Sequence, residues 1–356
     1  MSQTAWVATR KGLFELSRAS GQWEVANVSF LAEPVSQVLP PDASGHMLAA
    51  LNLGHFGVKV HASKDFGKTW SEVATPAYPA QPEGAEGPAW KLVQIWSMER
   101  DGDGTIWAGT NPGGLFSSTD GGVSWQLNEN LWHRKERLGW FGGGYDSPGI
   151  HSICPHPEKA NEMLLGISCG GAWRTTDGGA DWHLRATGMR ADFMPPEQAG
   201  EENTQDPHLI ARCPGEPDVL WTQHHCGIWR SADNGVSWQE CKGDFTTFGF
   251  AVAAHPKDGQ TAWFAPAIKD EKRVPVDAAL CVTRTRDGGK TFEVLRAGLP
   301  QKNAYDLIYR HGLAVDATGE HLLMGSTTGN LWASGDAGDS WQSVAPNLPP
   351  IYAVKF

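Results

Sequence analysis

One eight-residue pattern recurs along the chain and constrains its fold more than any other feature. Each copy has Ser or Thr first, Asp third, Gly fifth and an aromatic residue eighth, and the six aspartates are Asp65, Asp120, Asp177, Asp233, Asp287 and Asp336. A degenerate copy without the aspartate begins at Ser17, and the closing aromatics stand at positions 23, 70, 125, 182, 238, 292 and 341. A near-constant period of this length indicates stacked, similar units, each too small to bury a core alone.

Four short stretches with strand character surround a typical copy. In the fourth repeat they are 150–155, 163–168, 172–176 and 182–186, and in the fifth they are 208–213, 219–223, 227–231 and 238–241. The first repeat has three, at 5–9, 12–17 and 23–28, whereas residues 351–356 alternate like a strand without a repeat of their own. The sequence therefore predicts an all-β, seven-bladed β-propeller with four-stranded antiparallel blades. Residues 1–356 form one domain in this prediction, and the C-terminal strand closes the ring in a first blade shared between 1–30 and 350–356.

The residue types of the octapeptide suit a tight turn between two strands. An aspartate side chain can accept hydrogen bonds from backbone N–H groups of its own turn, and the glycine two residues later permits a positive φ. This pattern resembles the Asp-box (BNR) repeat of sialidases, sortilin-type receptors and many bacterial propellers. The resemblance covers nearly the whole chain and implies that the six aspartates fold the turns rather than take part in catalysis.

Charge and hydropathy exclude several classes of partner. The formal net charge is −11 and the pI is about 5.6, which argues against a protein that binds the phosphates of nucleic acids. No apolar run is long enough to span a membrane. The N-terminal residues lack the pattern of a secretory signal, so the six cysteines are expected to be reduced thiols in a cytoplasmic protein.

The connections between blades are expected to form the binding face, because ligands of propellers usually bind where the inner strands begin. Three of these connections are long, at 74–90, 128–149 and 187–207, and long loops in a compact fold tend to be functional. They carry several aromatic residues that could form a rim over a central pocket for a small molecule or carbohydrate: Trp90, Trp132, Trp140, Phe141, Tyr145 and Phe193.

Histidines recur at equivalent places in several repeats. His151, His208 and His311 begin inner strands when the repeats are aligned, and His55, His224 and His225 end the neighbouring strands on the same face. Imidazole is a ligand for Zn, Fe and Cu, and three or four imidazoles can bind one ion and leave a position open. The sequence therefore predicts a divalent transition-metal site at these histidines, with Asp206 as a carboxylate ligand or as a partner that orients one.

Three functions are compatible with these features. The main hypothesis is a metal-dependent hydrolase or oxidoreductase that acts on a small molecule, with Arg310, Asp206 and Tyr305 as catalytic candidates and Arg310 holding an anionic group. The first alternative is a sialidase-like or other glycoside hydrolase. Sialidases need an arginine triad and a Tyr–Glu pair, and neither a third inner-strand arginine nor a Glu partner for Tyr305 is found, so true sialidase activity is not predicted. The second alternative is a non-catalytic scaffold that binds a protein or a glycan.

Overall fold

The structure is a computed structural model that describes residues 3–19, 21–142 and 145–356. Its strands form seven separate four-stranded sheets, each antiparallel, as a seven-bladed β-propeller requires. The predicted fold class is therefore confirmed. No helix in the described part of the chain is long and apolar enough to cross a membrane.

The strands follow the chain from blade to blade. Blade 1 contains β1 (Thr4–Thr9), β2 (Gly12–Ser17) and β3 (Glu24–Ser29); blade 2 contains β4 (Val35–Leu39), β5 (Met47–Asn52), β6 (Val58–Ser63) and β7 (Ser71–Val73). Blade 3 contains β8 (Gln94–Arg100), β9 (Ile106–Asn111), β10 (Leu115–Ser118) and β11 (Gln126–Leu127); blade 4 contains β12 (Ile150–Pro155), β13 (Met163–Ile167), β14 (Gly171–Thr175) and β15 (His183–Leu184). Blade 5 contains β16 (Pro207–Arg212), β17 (Leu220–His224), β18 (Gly227–Ser231) and β19 (Gln239–Cys241); blade 6 contains β20 (Gly249–Ala254), β21 (Ala262–Pro266), β22 (Val282–Thr285) and β23 (Glu293–Leu295). Blade 7 contains β24 (Leu313–Val315), β25 (Leu322–Gly325), β26 (Leu331–Ser334) and β27 (Gln342–Ala345), and β28 (Ile351–Lys355) completes blade 1.

Helical segments are few and short. The connections contain one α-helical turn, α1 (Glu129–Trp132), and four 3₁₀ segments at Gly54–Phe56, Lys135–Gly139, Glu202–Thr204 and Val276–Ala278. The chain divides into two compact units, one of residues 1–32 with 208–356 and one of residues 33–207. Along the sequence their boundary falls within β16. The first unit contains blades 1, 5, 6 and 7, and the second contains blades 2, 3 and 4.

The C-terminal strand completes the first blade, as the sequence predicted. Strand β28 pairs antiparallel with β1, with Val354 opposite Val7 and Ala353 opposite Ala8. Ile351, Ala353 and Val354 are almost fully buried. The pairing provides hydrogen-bond partners for the backbone groups at the edge of β1, and it adds buried apolar surface to the first unit.

The octapeptide turns have the hydrogen bonds that their residue types favour. In blade 7, Ser334 Oγ donates to Asp336 Oδ1 over 2.7 Å and accepts from the Gly338 N–H over 2.9 Å. Asp336 also accepts from the Ser340 N–H (2.9 Å) and the Ser340 hydroxyl (2.6 Å), and Gly338 has a φ of 92°. The aspartate therefore joins both arms of its own turn, which explains why an acid is needed at the third position.

The remaining boxes repeat this arrangement, with one exception. The boxes of Asp65, Asp120, Asp233 and Asp287 have the same hydroxyl and N–H donors. In blade 4 the seventh position is Asp181, which donates only its N–H to Asp177. Hydrogen bonds from the side chain of Thr69 and from backbone N–H groups lower the pKa of Asp65 to about 2, whereas the pKa of Asp177 is lowered first by the Asp181 N–H.

The outer strand of blade 4 is shorter than the sequence pattern indicates, whereas that of blade 1 has the expected length. In blade 4 it covers only His183–Leu184 where 182–186 was predicted. Trp182 ends the octapeptide instead of entering the strand, and its ring is fully buried. Its indole N–H donates to Asn128 Oδ1 over 3.1 Å. The aromatic residue therefore packs as a core residue, and the alternation that suggested a longer strand reflects that burial.

Candidate functional site

Two of the predicted metal-ligand histidines lie together in blade 5. His208 is on β16 and His225 directly follows β17, and these strands are neighbours in one sheet. Their ring centroids are 5.3 Å apart. Asp206 immediately precedes β16, and the ligand atoms of Asp206, His208 and His225 all lie within 4.8 Å of one another. In the described part of the chain, these are the three potential metal ligands whose ligand atoms lie this close together.

The backbone of blade 6 fixes the orientation of His208. Its Nδ1 lies 2.6 Å from the carbonyl oxygen of Gly249, and because a carbonyl can only accept, Nδ1 carries the proton. The ring also stacks on Phe250 at a centroid distance of 4.4 Å and an angle of 10°. The ring is therefore held by both a hydrogen bond and a stacking contact.

His224 and His311, also in the first unit, have other surroundings. His224 is fully buried, accepts the Cys226 N–H at Nδ1 over 3.0 Å, and lies 4.7 Å from the ring of Trp229. His311 forms a parallel bridge with Ala353, and its carbonyl accepts the Val354 N–H. Neither belongs to the three-ligand group.

In the second unit, His151 and His55 differ sharply in burial. His151 is fully buried on β12, with Nδ1 2.9 Å from Ser152 Oγ and its ring 5.6 Å from Trp96. His55 lies in the exposed 3₁₀ segment after β5 and contacts the ring of Phe56 at 3.9 Å. The structure gives both residues local partners, and their role as metal ligands stays a prediction.

Arg310, proposed to hold an anionic group, lies against an aromatic cluster. It is 7% exposed, and its guanidinium carbon is 5.4 Å from the centroid of Phe250. Arg273, from the connection between β21 and β22, lies 5.2 Å from the same ring and forms an ion pair with Asp270. Tyr309 meets Phe250 edge-on at 5.2 Å. Sequence reasoning missed Arg273, because its loop belongs to no repeat.

Tyr305, the third catalytic candidate, belongs to a connection that lines an open cavity in the first unit, but Tyr305 itself is not among the residues of the cavity wall. The cavity has a volume of about 480 Å³ and lies between the connection from β23 to β24 and the turn from β25 to β26. Its polar lining comes from Asn303, Asp306 and Asn330, and Trp332 forms part of its wall. Tyr305 is adjacent in sequence to Asp306 and is 60% exposed. Tyr305 was a candidate from the sequence, whereas the two asparagines had no distinguishing pattern.

Asp306 organises one side of this cavity. Its Oδ1 accepts hydrogen bonds from Ser326 Oγ (2.8 Å), Thr328 Oγ1 and Asn330 Nδ2 (2.8 Å). These donors all belong to the turn between β25 and β26. The carboxylate therefore fixes the turn, and the turn presents Asn330 to the cavity.

The long connections of the second unit are folded, but they are less of an aromatic rim than the sequence suggested. Trp132 and Trp140 are buried, and Trp140 donates its indole N–H to Asn203 Oδ1 over 2.9 Å. Phe141, Tyr145 and Phe193 are the residues of the predicted rim that remain well exposed. The two tryptophans have the largest apolar surfaces of this set, so their burial contributes the most to stability. Residues 143 and 144 of this connection lie outside the described part.

Comparison with known proteins relates this chain to glycoside hydrolases through its fold. No protein-family model matches the sequence, so membership of the Asp-box repeat family stays a prediction. A probable oligoxyloglucan-reducing end-specific xyloglucanase from Neosartorya fischeri is 26% identical over 243 residues, which is 65% of this chain and 24% of that protein. The chain thus spans about a quarter of the length of this curated relative.

Two solved structures give the same result at greater coverage. The crystal structure of an ancestral GH74 enzyme matches 97% of this chain and 40% of its own, with a TM-score of 0.63 and 15% identity. That of the Niastella koreensis GH74 enzyme matches 96% of this chain and 52% of its own, with a TM-score of 0.63 and 14% identity. What they share is the propeller. Identities this low indicate a common fold and leave activity to be argued from the site.

Proposed function

We propose that this protein recognises a carbohydrate, and that the cavity lined by Asn303, Asp306 and Asn330 binds it. The cavity carries the proposal, because it combines two amide side chains, a carboxylate and a tryptophan ring in one recess. Its volume falls in the usual range for small-ligand sites. The xyloglucanase relative and the GH74-like fold support a sugar over other small ligands.

The residue types of the cavity match the two faces of a sugar ring. A pyranose has apolar C–H faces, which pack on an aromatic ring, and an equator of hydroxyl groups that both donate and accept. The ring of Trp332 in the cavity wall supplies an apolar surface. The amides of Asn303 and Asn330 supply donors and acceptors, and Asp306 can accept from sugar hydroxyls. The first ligands to examine are therefore xyloglucan-derived oligosaccharides, the class that the relative's name gives.

The cavity supports binding more than hydrolysis. Most glycoside hydrolases use two carboxyl groups, one on each side of the scissile bond. Among the residues that line the cavity, all within the described part, Asp306 is the carboxylate, and three donors from one turn already bind its Oδ1. A second acid at the required separation would have to come from elsewhere, so recognition is the function that this site can perform alone.

The test is titration of the full chain with xyloglucan oligosaccharides by calorimetry, together with an assay for new reducing ends. We expect saturable binding without cleavage, and a loss of affinity of at least about fivefold in Asn330→Ala, because a buried sugar hydroxyl then loses its hydrogen-bond partner. Tyr305→Phe should keep the affinity, because Tyr305 is not part of the cavity wall. Asn303→Gly removes one amide at a position whose φ of 55° glycine adopts easily, and it should also weaken binding.

A matched variant locates the site. Tyr145→Ala removes an exposed phenol from the second unit and should leave affinity unchanged. Loss of binding in Tyr145→Ala with full binding in Asn330→Ala would move the site to the other unit and overturn the proposal. Release of reducing ends that disappears in Asp306→Asn would show a hydrolase instead of a binding protein.

A further inference from the structure

We propose that the cavity selects sugars by their hydrogen-bond donors, so that it binds neutral sugars with unsubstituted hydroxyl groups and rejects sugars that carry a carboxylate. This inference rests on the carbohydrate-binding function proposed above and specifies the ligand class. The deciding atoms are Asp306 Oδ2 and Asn330 Oδ1, and both residues line the cavity. A carboxylate oxygen and an amide oxygen can only accept hydrogen bonds, so a ligand has to supply the donors.

The turn between β25 and β26 occupies one oxygen of Asp306 and leaves the other. Oδ1 accepts hydrogen bonds from the hydroxyls of Ser326 and Thr328 and from the amide of Asn330. Among the described residues, no donor reaches Oδ2, and this oxygen is not enclosed. Because Asp306 is 5% exposed and lines the cavity, Oδ2 is the atom that it offers to a ligand.

The amide of Asn330 is oriented by the same acid. An acceptor such as Asp306 Oδ1 requires a donor opposite it, which assigns the near group of Asn330 as the NH₂. One N–H donates to Asp306 over 2.8 Å and the other to Thr328 Oγ1 over 3.2 Å, so Oδ1 of Asn330 is left for a ligand. The amide of Asn303 makes no side-chain hydrogen bond within the described residues and can serve either way, so it does not decide the selectivity.

The charge of Asp306 adds to this selectivity. Its three partners are neutral, and within the described part of the chain no lysine or arginine forms an ion pair with it. A sugar hydroxyl that donates to Oδ2 forms a charge-assisted hydrogen bond, which is stronger than a neutral one. A sugar carboxylate would instead lose water and meet a like charge in a recess where electrostatic interactions are strengthened. The cavity therefore favours a hydroxyl over a carboxylate at this position.

One substitution reverses the character of the deciding atom. In Asp306→Asn, the side-chain carbonyl can still accept from the three donors of the turn, while an NH₂ group takes the place of Oδ2. The negative charge is removed and an acceptor becomes a donor. Neutral sugars should then bind less well and acidic sugars better. Loss of the turn alone would weaken binding of both kinds of sugar, so a change of preference is specific to the proposed contact.

The experiment compares ligands made from one oligosaccharide. The full chain is titrated by calorimetry with a xyloglucan oligosaccharide, with its O-methylated derivative, and with a derivative whose primary hydroxyls are oxidised to carboxylates. We expect the parent protein to bind each derivative at least about tenfold more weakly than the unmodified sugar, as loss of a charge-assisted hydrogen bond predicts. In Asp306→Asn, the ratio of affinities for the unmodified and the oxidised sugar should fall by at least about tenfold, with retained circular dichroism.

A matched control separates this contact from the overall charge of the protein, which is −11. Asp316 is a buried acid of the turn between β24 and β25 in the same blade, and it accepts the Thr318 N–H over 3.0 Å. It does not belong to the cavity wall. Asp316→Asn makes the same chemical change and the same change of net charge, and it should keep the ligand preference of the parent.

Each outcome decides the inference. A preference for the unmodified sugar that decreases in Asp306→Asn and persists in Asp316→Asn supports it. Equal affinity of the parent for all three ligands overturns it and leaves the carbohydrate-binding function standing, and this comparison is decisive even if Asp306→Asn fails to fold. An unchanged preference in folded Asp306→Asn also overturns it and assigns the selectivity to other residues. Absence of binding to every ligand refutes the proposed function itself, and the inference is refuted with it.

Discussion

Removal of one octapeptide aspartate should destabilise the fold by a measurable amount that depends on pH. In Asp336→Ala, Ser334 Oγ loses an acceptor, and Ser340 loses the acceptor for both its N–H and its hydroxyl. Loss of a comparable side-chain cap at a helix N-terminus costs about 0.5–2 kcal/mol. Asp336 is largely solvated, so its charge is screened. We expect Asp336→Ala to lower the free energy of unfolding by about 1–2 kcal/mol.

That free energy corresponds to a small, resolvable change in Tm. The entropy of unfolding is about 2.1 cal/mol/K per residue near 60 °C, which is roughly 0.75 kcal/mol/K for a chain of 356 residues that unfolds as one unit. The predicted decrease in Tm is therefore about 1–3 °C by differential scanning calorimetry. Ser340→Ala removes only the hydroxyl donor, so Asp336 would accept only the N–H of this position, as Asp177 does in blade 4. This variant should decrease Tm by about half as much.

The pH dependence follows from the direction of the pKa shift. Burial acts to raise the pKa of Asp336, but hydrogen bonds from Ser340 and Ser334 outweigh it, so the pKa in the folded protein is lowered. The unfolded chain has the ordinary value of about 3.9. The stabilisation due to the charge is therefore complete above pH 4 and is lost as the pH falls through the lower, folded pKa. The difference in Tm between the parent and Asp336→Ala should narrow below pH 4.

Two results would refute this reasoning. An unchanged Tm in Asp336→Ala at pH 7 would show that the turn's geometry is set by Gly338 and the strands without the acid. A decrease in Tm that stays constant down to pH 2.5 would show that the hydrogen bonds act without any contribution from the charge.

Two further predictions concern the first unit. Deletion of residues 351–356 removes β28, so the unpaired edge of β1 should cause aggregation or self-association, seen by size-exclusion chromatography; a soluble monomer with the parent Tm would contradict this. Burial raises the pKa of Cys241 to about 12, so at pH 8 iodoacetamide should modify the half-exposed Cys226 first and Cys241 only after denaturation, as peptide mass spectrometry would show; equal rates in the folded protein would contradict this.

The sequence was sufficient for the fold because the repeat encodes each blade locally. The hydrogen bonds of the turn at Asp336 involve residues within the octapeptide, and strand order follows chain order within blades 2 to 7. Outer-strand ends were less predictable. Trp182 reads as a strand residue by its alternation, but its contacts are with the core and with Asn128, far away in sequence.

The candidate site was only partly predictable, because its contacts join different repeats. Alignment placed His208 and His225 on one face, and the structure brings them together. It also placed His224 there, but the ring of His224 packs on Trp229, since successive strand residues point in opposite directions. The carbohydrate cavity had no signal in the sequence beyond Tyr305, which neighbours two lining residues, because asparagine is common in turns whether or not it binds a ligand.

Residues at one aligned position of neighbouring blades can contact each other, and they have different roles. His208, Phe250 and His311 are aligned in the repeats of blades 5, 6 and 7, and His208 stacks directly on Phe250. Tyr309 and Arg310, which precede His311, also lie against the phenyl ring of Phe250. Phe250 thus contacts an imidazole from one blade and a guanidinium from the next. A repeat fold can therefore keep an identical backbone in every blade and still form a specific site, because one apolar residue at the shared position determines which polar neighbours face one another.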